Sequence, residues 1–412
     1  MGFFDDSSYG KHKATARACG KCGLLNKCRS PKLPVQGKGR KGILIVAEAP
    51  RRLDDSYGEW VDLSTSMGKR LKEFGIDIDD DCWLTGAVVC SPNSQGRPDA
   101  EQVRHCRPGL MDFIRDNEPA AIITVGQAAC QAVLEEDWGK SADWRPTVWL
   151  SECIPSQKLN AWIIPCVDPR DLDGEKDMML MDLREQLRWV VGATGVRPWT
   201  TTPNYTDMVD VYLDPAEAAA AIDRIHKDPR TEYVAIDYET NSLKPEAAGS
   251  AIHSVSWSNG FETMAAPWYP EVREASRLLI RDPLPKVACN LKFEERWTIH
   301  EFGHGIRNWV WDTMQAAHWL SNRPGITSIK YQSYARLGQP EYDGNMKNYF
   351  KTKSAVELND IRKVPMESLL LYNGMDTLLE LLVAYEQIEE SGYNQLRIKE
   401  PFTNLRPNRI VF

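Results

Sequence analysis

The stretch YVAIDYET, Tyr233–Thr240, decides how this 412-residue chain is read. Tyr233–Ile236 has the composition of a buried strand, and it runs into two acids set two residues apart. A strand alternates its side chains between faces, so Asp237 and Glu239 project from the same one. Two carboxylates held side by side repel each other unless a cation lies between them. All-oxygen ligands suit hard divalent cations such as magnesium or manganese, and a metal site is expected here. Two other words carry acids in comparable settings. Asn290 and Glu294 stand four apart at the start of a helical pattern in CNLKFEER, and Tyr372 and Asp376 stand four apart in LYNGMDTLL. That spacing puts both members of a pair on one helix face.

Around the first word, Ile252–Trp257 and Glu262–Ala266 read as the next strands of an antiparallel meander, and helices follow at Leu291–Phe302, Thr313–Leu320, Ser328–Leu337 and Met366–Ile388. In this order AIDYET, NLKFE and YNGMD resemble the three exonuclease motifs of the DEDD superfamily, tyrosine subtype, as found in the proofreading domain of family A DNA polymerases. The resemblance covers about residues 230–390 and extends to WDTMQAAHWL and SIKYQSYARLG. It implies an RNase H-like fold around a mixed sheet and a 3′–5′ DNA exonuclease using two Mg2+ or Mn2+ ions on single-stranded 3′ ends. It further implies that Asp237 bridges both ions, that Glu239 and Asp376 complete the tighter site, and that Glu294 supports the second. Tyr372 would orient the attacking water and Asn290 would touch the scissile nucleotide, with helix capping as the alternative use of that asparagine. The family usually has aspartate where this chain has Glu294. The extra methylene keeps the charge but is expected to move the second ion.

The first half alternates short apolar runs, Ile43–Ala47, Ala87–Val89, Ala121–Val125 and Trp162–Ile164, with helical patterns at Ser66–Phe74, Ala100–Asn117, Gln127–Glu135 and Lys176–Val191. Such alternation predicts an α/β layer with helices on both faces of a parallel sheet. The Pro- and Thr-rich RPWTTTPNYTD marks a linker at 198–208 between domains 1–197 and 209–392, with a tail at 393–412. Cys19 and Cys22 form a C-x2-C pair, and Cys90 and Cys106 lie far along the chain. The pair alone fits a redox motif, zinc or chance; with the two remote cysteines it suggests a tetrahedral or cubane metal site.

ACGKCGLLNKCRSPK, ILIVAEAP, VVCSPN, CRPGL and ITVGQAA resemble the iron–sulfur uracil-DNA glycosylases of family four over about residues 15–190. That resemblance implies a uracil-DNA-glycosylase-like domain with a [4Fe–4S] cluster on Cys19, Cys22, Cys90 and Cys106, and Cys28 as the substitute ligand. Glu48 matches the family's water-activating acid. Elsewhere the pocket departs from the pattern. Arg51 stands where a glycine is usual, Gly86 where an asparagine reads uracil, and Asp168 where a histidine donates to the leaving base. Trp60 is the candidate for the stacking phenylalanine. A degenerate pocket is therefore expected, kept as a scaffold that grips DNA or a polymerase. The alternatives are a dual repair enzyme with an active glycosylase and a non-catalytic interaction subunit.

Composition sets the remaining limits. Charged residues are 26% and hydrophobic residues 42%, as in ordinary globular proteins. No apolar run is long enough to cross a bilayer, and the acidic start lacks the marks of a signal peptide, so a cytoplasmic setting with reduced thiols is expected. The net charge of −8 argues against an electrostatic grip by the whole surface. Yet Ser7–Ala47 holds no acid and is dense in lysine and arginine, which fits either phosphate binding or a solvated arm. Trp257, Trp297, Trp309, Trp311 and Trp319 could stack bases, although core packing is the commoner use of tryptophan. His300, His304 and His318 lack metal-ligand companions. The chain stops soon after the third motif, where a family A polymerase would continue. A separate DNA polymerase or replisome partner is expected, as in a phage-like split system.

Overall fold

The computed structural model describes residues 21–92, 97–139, 144–172, 177–193 and 195–392, without the side chains at 177–183, 193 and 345. The chain divides into two compact units, one up to Pro198 and one from Trp199. Among the described residues no helix is long and apolar enough to cross a membrane.

The first unit is built on β1 (Ile43–Ala47), β2 (Cys82–Gly86), β3 (Ala121–Val125), β4 (Ile154–Ser156) and β5 (Ala161–Cys166), in the spatial order β2-β1-β3-β5-β4. All neighbours are parallel except β4, which runs antiparallel to β5. Every residue of β1, β3 and β5 is buried, as apolar strands covered on both faces should be. The helices are α1 (Arg52–Tyr57), α2 (Val61–Lys72), α3 (Ile78–Asp81), α4 (Ala100–Asn117), α5 (Gln127–Leu134) and α6 (Asp177–Ala193). α4 starts where expected because Asp99 and Gln102 form a reciprocal capping box. The strand expected at Ala87–Val89 lies earlier, at β2, where Cys82 pairs with Ile43 and Gly86 with Ala47. Ala87 and Val88 are buried because the chain still donates to the carbonyls of Ala47 and Glu48 beyond the strand's end.

The second unit holds β6 (Asp210–Val211), α7 (Pro215–Lys227), β7 (Val234–Thr240), β8 (Ile252–Ser258), β9 (Thr263–Pro267), α8 (Pro270–Arg281), β10 (Lys286–Ala288), α9 (Lys292–Phe302), β11 (Trp309–Asp312), α10 (Thr313–Leu320), α11 (Ile329–Leu337), α12 (Lys347–Phe350) and α13 (Met366–Glu390). Its mixed sheet has the order β11-β10-β7-β8-β9-β6. The expected β7-β8-β9 meander is antiparallel, whereas β10 and β11 extend the other edge in parallel. α13 lies across this sheet, and most of its residues from Leu369 to Ile388 are buried. Gly374 permits the close approach: a Cβ there would come 2.3 Å from Val209 Cγ1. Polar pairs fix the helix along its axis. Ser254 Oγ donates to Asn373 Oδ1 at 3.0 Å, and Ser256 Oγ donates to the Asn373 carbonyl at 2.9 Å. Tyr205, from the Pro- and Thr-rich segment, is buried beside Met375 and Leu378 of α13.

Candidate functional site

The side chains of Asp237 and Glu239 leave β7 on the face covered by α13, which carries Asp376. Ligand atoms of these three residues all lie within 4.8 Å of one another. Asn373, one turn before Thr377 on the same helix, donates to Asp237 Oδ2 at 2.5 Å and so orients it. Lys330 of α11 donates to Tyr372 Oη at 2.9 Å and also bonds Asp376, which accepts from Tyr342 as well. The Lys330 ammonium sits 4.6 Å from the Tyr342 ring centre and 4.4 Å from that of Tyr372. Burial, then Asp376 and Asp237 as neighbours, push the carboxyls of Glu239 and Asp237 well above the ordinary range, against the pull of Lys330. Burial and Asp376 likewise raise the Tyr372 phenol far above its usual value.

Glu294 lies in the first turn of α9, is 2% exposed, and keeps Oε2 buried with no hydrogen-bond partner. It stands outside the three-residue group, although burial first and the charge of Asp237 next raise its carboxyl. Asn290 is not the helix cap: it precedes the helix in the left-handed region at φ 66°, and Leu291 occupies the cap position without a side-chain bond. Asp312 does that work instead. Its carboxylate accepts from the backbone N–H groups of Asn290, Leu291, Met314 and Gln315, tying the starts of α9 and α10 together.

In the first unit, Glu48 follows β1, and its Oε1 accepts from the Ala128 N–H at 3.0 Å. A Cβ on Gly126 would come 2.5 Å from Glu48 Cγ, so the glycine, at φ 93°, makes room for the acid. Glu48, Arg97, Gly126, Gln127, Asp168 and Asp171 help to line a cleft of about 590 Å³. Burial first, with Asp168 and Asp171 adding to it, raises the Glu48 carboxyl. Burial works the same way on Asp168, but Arg170 overrides it, donating from Nη2 at 2.7 Å and from Nε at 2.9 Å, and Arg51 adds a bond at 3.1 Å. The Asp168 carboxyl is thus held below its ordinary value. Arg51 also reaches Asp171 at 2.6 Å. Trp60 is not a stacking platform. It is 0% exposed, its Nε1 donates to the Pro34 carbonyl, and a Cβ on Gly86 would come 2.5 Å from its ring.

Cys90 is buried beside Cys28 and Cys106, and its sulfur accepts from the Lys32 N–H at 3.3 Å. Burial, with these two thiols near, pushes Cys90 up to about 11. Cys22 is half-buried, while Cys19 lies outside the described residues. The basic run is partly consumed by internal pairing. Lys38 and Arg40 bond Asp80 and Lys41 bonds Asp81, whereas Lys11, Lys13 and Arg17 lie outside the described residues.

The profile of the family described as 3′–5′ exonuclease matches residues 210–391, and that of the uracil DNA glycosylase superfamily matches residues 34–188. This chain joins a uracil-DNA-glycosylase-superfamily domain to a 3′–5′ exonuclease domain. Among relatives of the glycosylase-superfamily domain, the type-4 uracil-DNA glycosylase of Pyrobaculum aerophilum is 31% identical over 119 residues, 28% of this chain and 60% of the relative. That of Archaeoglobus fulgidus is 29% identical over 119 residues, 28% of this chain and 58% of the relative. The chain therefore spans about three fifths of the length of each. Solved structures similar to part of the chain include Escherichia coli RNase D, at 13% identity and a TM-score of 0.35 over 45% of this chain and 46% of that one. Brucella melitensis NrnC with bound Mg2+ gives 15% identity and a TM-score of 0.30 over 45% and 82%.

Within the exonuclease domain the structure brings Asp237, Glu239, Tyr372 and Asp376 together and leaves Glu294 at the margin of the group. The tryptophans divide. Trp257 and Trp297 are core residues, Trp309 and Trp311 donate to Glu295 and Gln387, and Trp319 is 69% exposed. Sequence reasoning missed Lys330, Tyr342 and Asn373. Two of these had a signal: Lys330 falls in the family-like SIKYQSYARLG, and Asn373 stands beside Tyr372 in the quoted YNGMD.

Proposed function

We propose that this chain removes nucleotides from the 3′ ends of single-stranded DNA, as a two-metal-ion exonuclease of the proofreading type. The observation that carries the reading is the grouping of Asp237, Glu239 and Asp376, drawn from a strand and a helix far apart in sequence, within 4.8 Å. Three interior carboxylates with one lysine between them are poorly neutralised by the protein alone, and all-oxygen donors fit Mg2+ or Mn2+. Asp237, Glu239 and Asp376 would hold one ion, and Asp237 with Glu294 the second. Bound there, such a pair supplies charge stabilisation to the attacking and leaving oxygens of a phosphodiester.

The protein's own groups support the rest. Asn373 fixes the rotamer of Asp237. Lys330 donates to Tyr372 Oη, which leaves the phenolic proton available to a water or a phosphate oxygen. Because that phenol is held far above its ordinary value, Tyr372 orients and does not act as a base. Asn290 would touch the terminal nucleotide from the turn before α9. Asp237→Asn should lower degradation of a single strand by on the order of 10² to 10³ with DNA binding retained, as for loss of a transition-state charge partner. Undiminished activity would sink the assignment, and intact binding without any wild-type activity would favour the non-catalytic subunit.

For the first domain we propose a [4Fe–4S] cluster on Cys19, Cys22, Cys90 and Cys106, with Cys28 as the neighbouring thiol, and a role in gripping DNA or a polymerase. The Lys32 N–H on Cys90 suits a thiolate ligand. Uracil excision is disfavoured by two features. Trp60 fills the space in front of Gly86, and Asp168 is locked to Arg170 and Arg51 where a proton donor to the base would be needed. Iron and acid-labile sulfide should be found at about four each per chain. A uracil-containing oligonucleotide should stay free of abasic sites, whereas uracil release abolished by Glu48→Ala would establish the dual repair enzyme instead. The proofreading resemblance makes a separate DNA polymerase the expected partner, in a phage-like system, and a pull-down from the native host that returns no replisome component would count against it.

A further inference from the structure

Glu380 sits one turn beyond Asp376 on α13, is 2% exposed, and keeps Oε2 buried with no hydrogen-bond partner. Glu294, from α9 on another part of the domain, shows the same two properties. Orphaned buried polar atoms are rare because each forfeits the hydrogen bonds it made to water, and two orphaned carboxylates in one region need a common cause. They do share a region: burial first, then Asp237, Cys289, Glu294 and Asp376 as neighbours, raise the Glu380 carboxyl. Lys330 cannot serve them, since it is engaged with Asp376 and Tyr372.

We propose that Glu380 is a fifth carboxylate of the metal centre, a direct ligand of the second divalent cation together with Glu294 and Asp237. The proposal rests on the exonuclease reading and deepens it. Asp237, Glu239 and Asp376 have their ligand atoms grouped for one ion, Glu294 and Glu380 lie outside that group, and each of these two keeps an unpartnered buried carboxylate oxygen. The longer side chain at Glu294 is consistent with the same geometry. A glutamate at 294 would hold an ion one methylene farther from the start of α9 than an aspartate, and a carboxylate from the next turn of α13 would then be a further ligand for it. The four-residue step from Asp376 to Glu380 puts both carboxylates on one side of the helix, so one element serves both ions.

The test is Mn2+ binding to the full, metal-free chain, followed by electron paramagnetic resonance of the unbound ion and by calorimetry. The wild type should bind two ions. Glu380→Gln, which keeps the shape, should keep the tighter ion and bind the second at least about tenfold more weakly. Glu380→Ala should do the same, and Asp237→Asn should impair both. Thermal unfolding in EDTA checks the fold, and Glu380→Gln should unfold no lower than the wild type because a buried orphan is removed. Two ions bound with equal affinity by the wild type and Glu380→Gln would overturn the role of Glu380 while leaving the exonuclease reading intact. A wild type that binds no Mn2+ would overturn both.

Discussion

Single buried acids show how local surroundings set charge in this chain. Asp137 is 6% exposed, and burial raises its carboxyl to about 6, against a Ser156 Oγ bond at 3.3 Å and the charge of Arg107. A carboxyl raised on folding contributes stability that is complete below the unfolded value and is lost as pH climbs through the folded one. Between pH 4 and 7 the wild type should therefore lose stability that Asp137→Asn does not, and at pH 7 the variant should be the more stable by up to about 3 kcal/mol. Denaturant melts at pH 4, 5.5 and 7 would check this, and parallel curves for the two proteins would refute it. The same physics governs Asp168, with the opposite sign. There the paired arginines outweigh burial, and the group stays charged in a place where the resemblance led us to look for a histidine.

Elements were legible in proportion to how long and how periodic they are. β1, β3 and the β7-β8-β9 meander announce themselves as apolar runs, and α4 carries its capping box in plain view. β10 is only three residues, begins with Lys286, and hid behind that charge. The strand read at Ala87–Val89 was misplaced because burial persists past the end of an edge strand whose own residues include a half-buried tryptophan. Of the candidate site, the acids at motif positions were readable, but Lys330 and Tyr342 reach Asp376 only through the packing of other segments on α13, and spacing along the chain does not encode that. α13 also supplies a test of packing against propensity. Gly374→Ala gains about 1 kcal/mol of helix propensity. The new Cβ, however, would come 2.3 Å from Val209 Cγ1, and overpacking costs typically 1–3 kcal/mol. Net destabilisation is expected in chemical denaturation, and adding Val209→Ala should recover part of it. A stabilised single variant would show that α13 has room to lift off the sheet.

At the scale of the molecule, two α/β domains of different topology follow one another in a chain of net charge −8, with three acids, Asp237, Glu239 and Asp376, grouped in the second domain and basic residues of the first partly paired internally. In the first domain, Arg51, Gly86 and Asp168 stand where the glycosylase resemblance implies a glycine, an asparagine and a histidine, and the proposed role there is that of a scaffold. In the second, Glu294 stands where the exonuclease resemblance implies an aspartate. The proposed catalysis lies in the second domain and requires metal-dependent cutting from one end only. The direct measurement follows single-stranded DNA labelled at the 3′ or the 5′ end, with Mg2+ or Mn2+ and with EDTA. With metal, the 3′ label should leave at once as mononucleotide while the 5′-labelled strand shortens stepwise, and EDTA should stop both. Strands left intact in either metal, or a 5′ label released first, would contradict it.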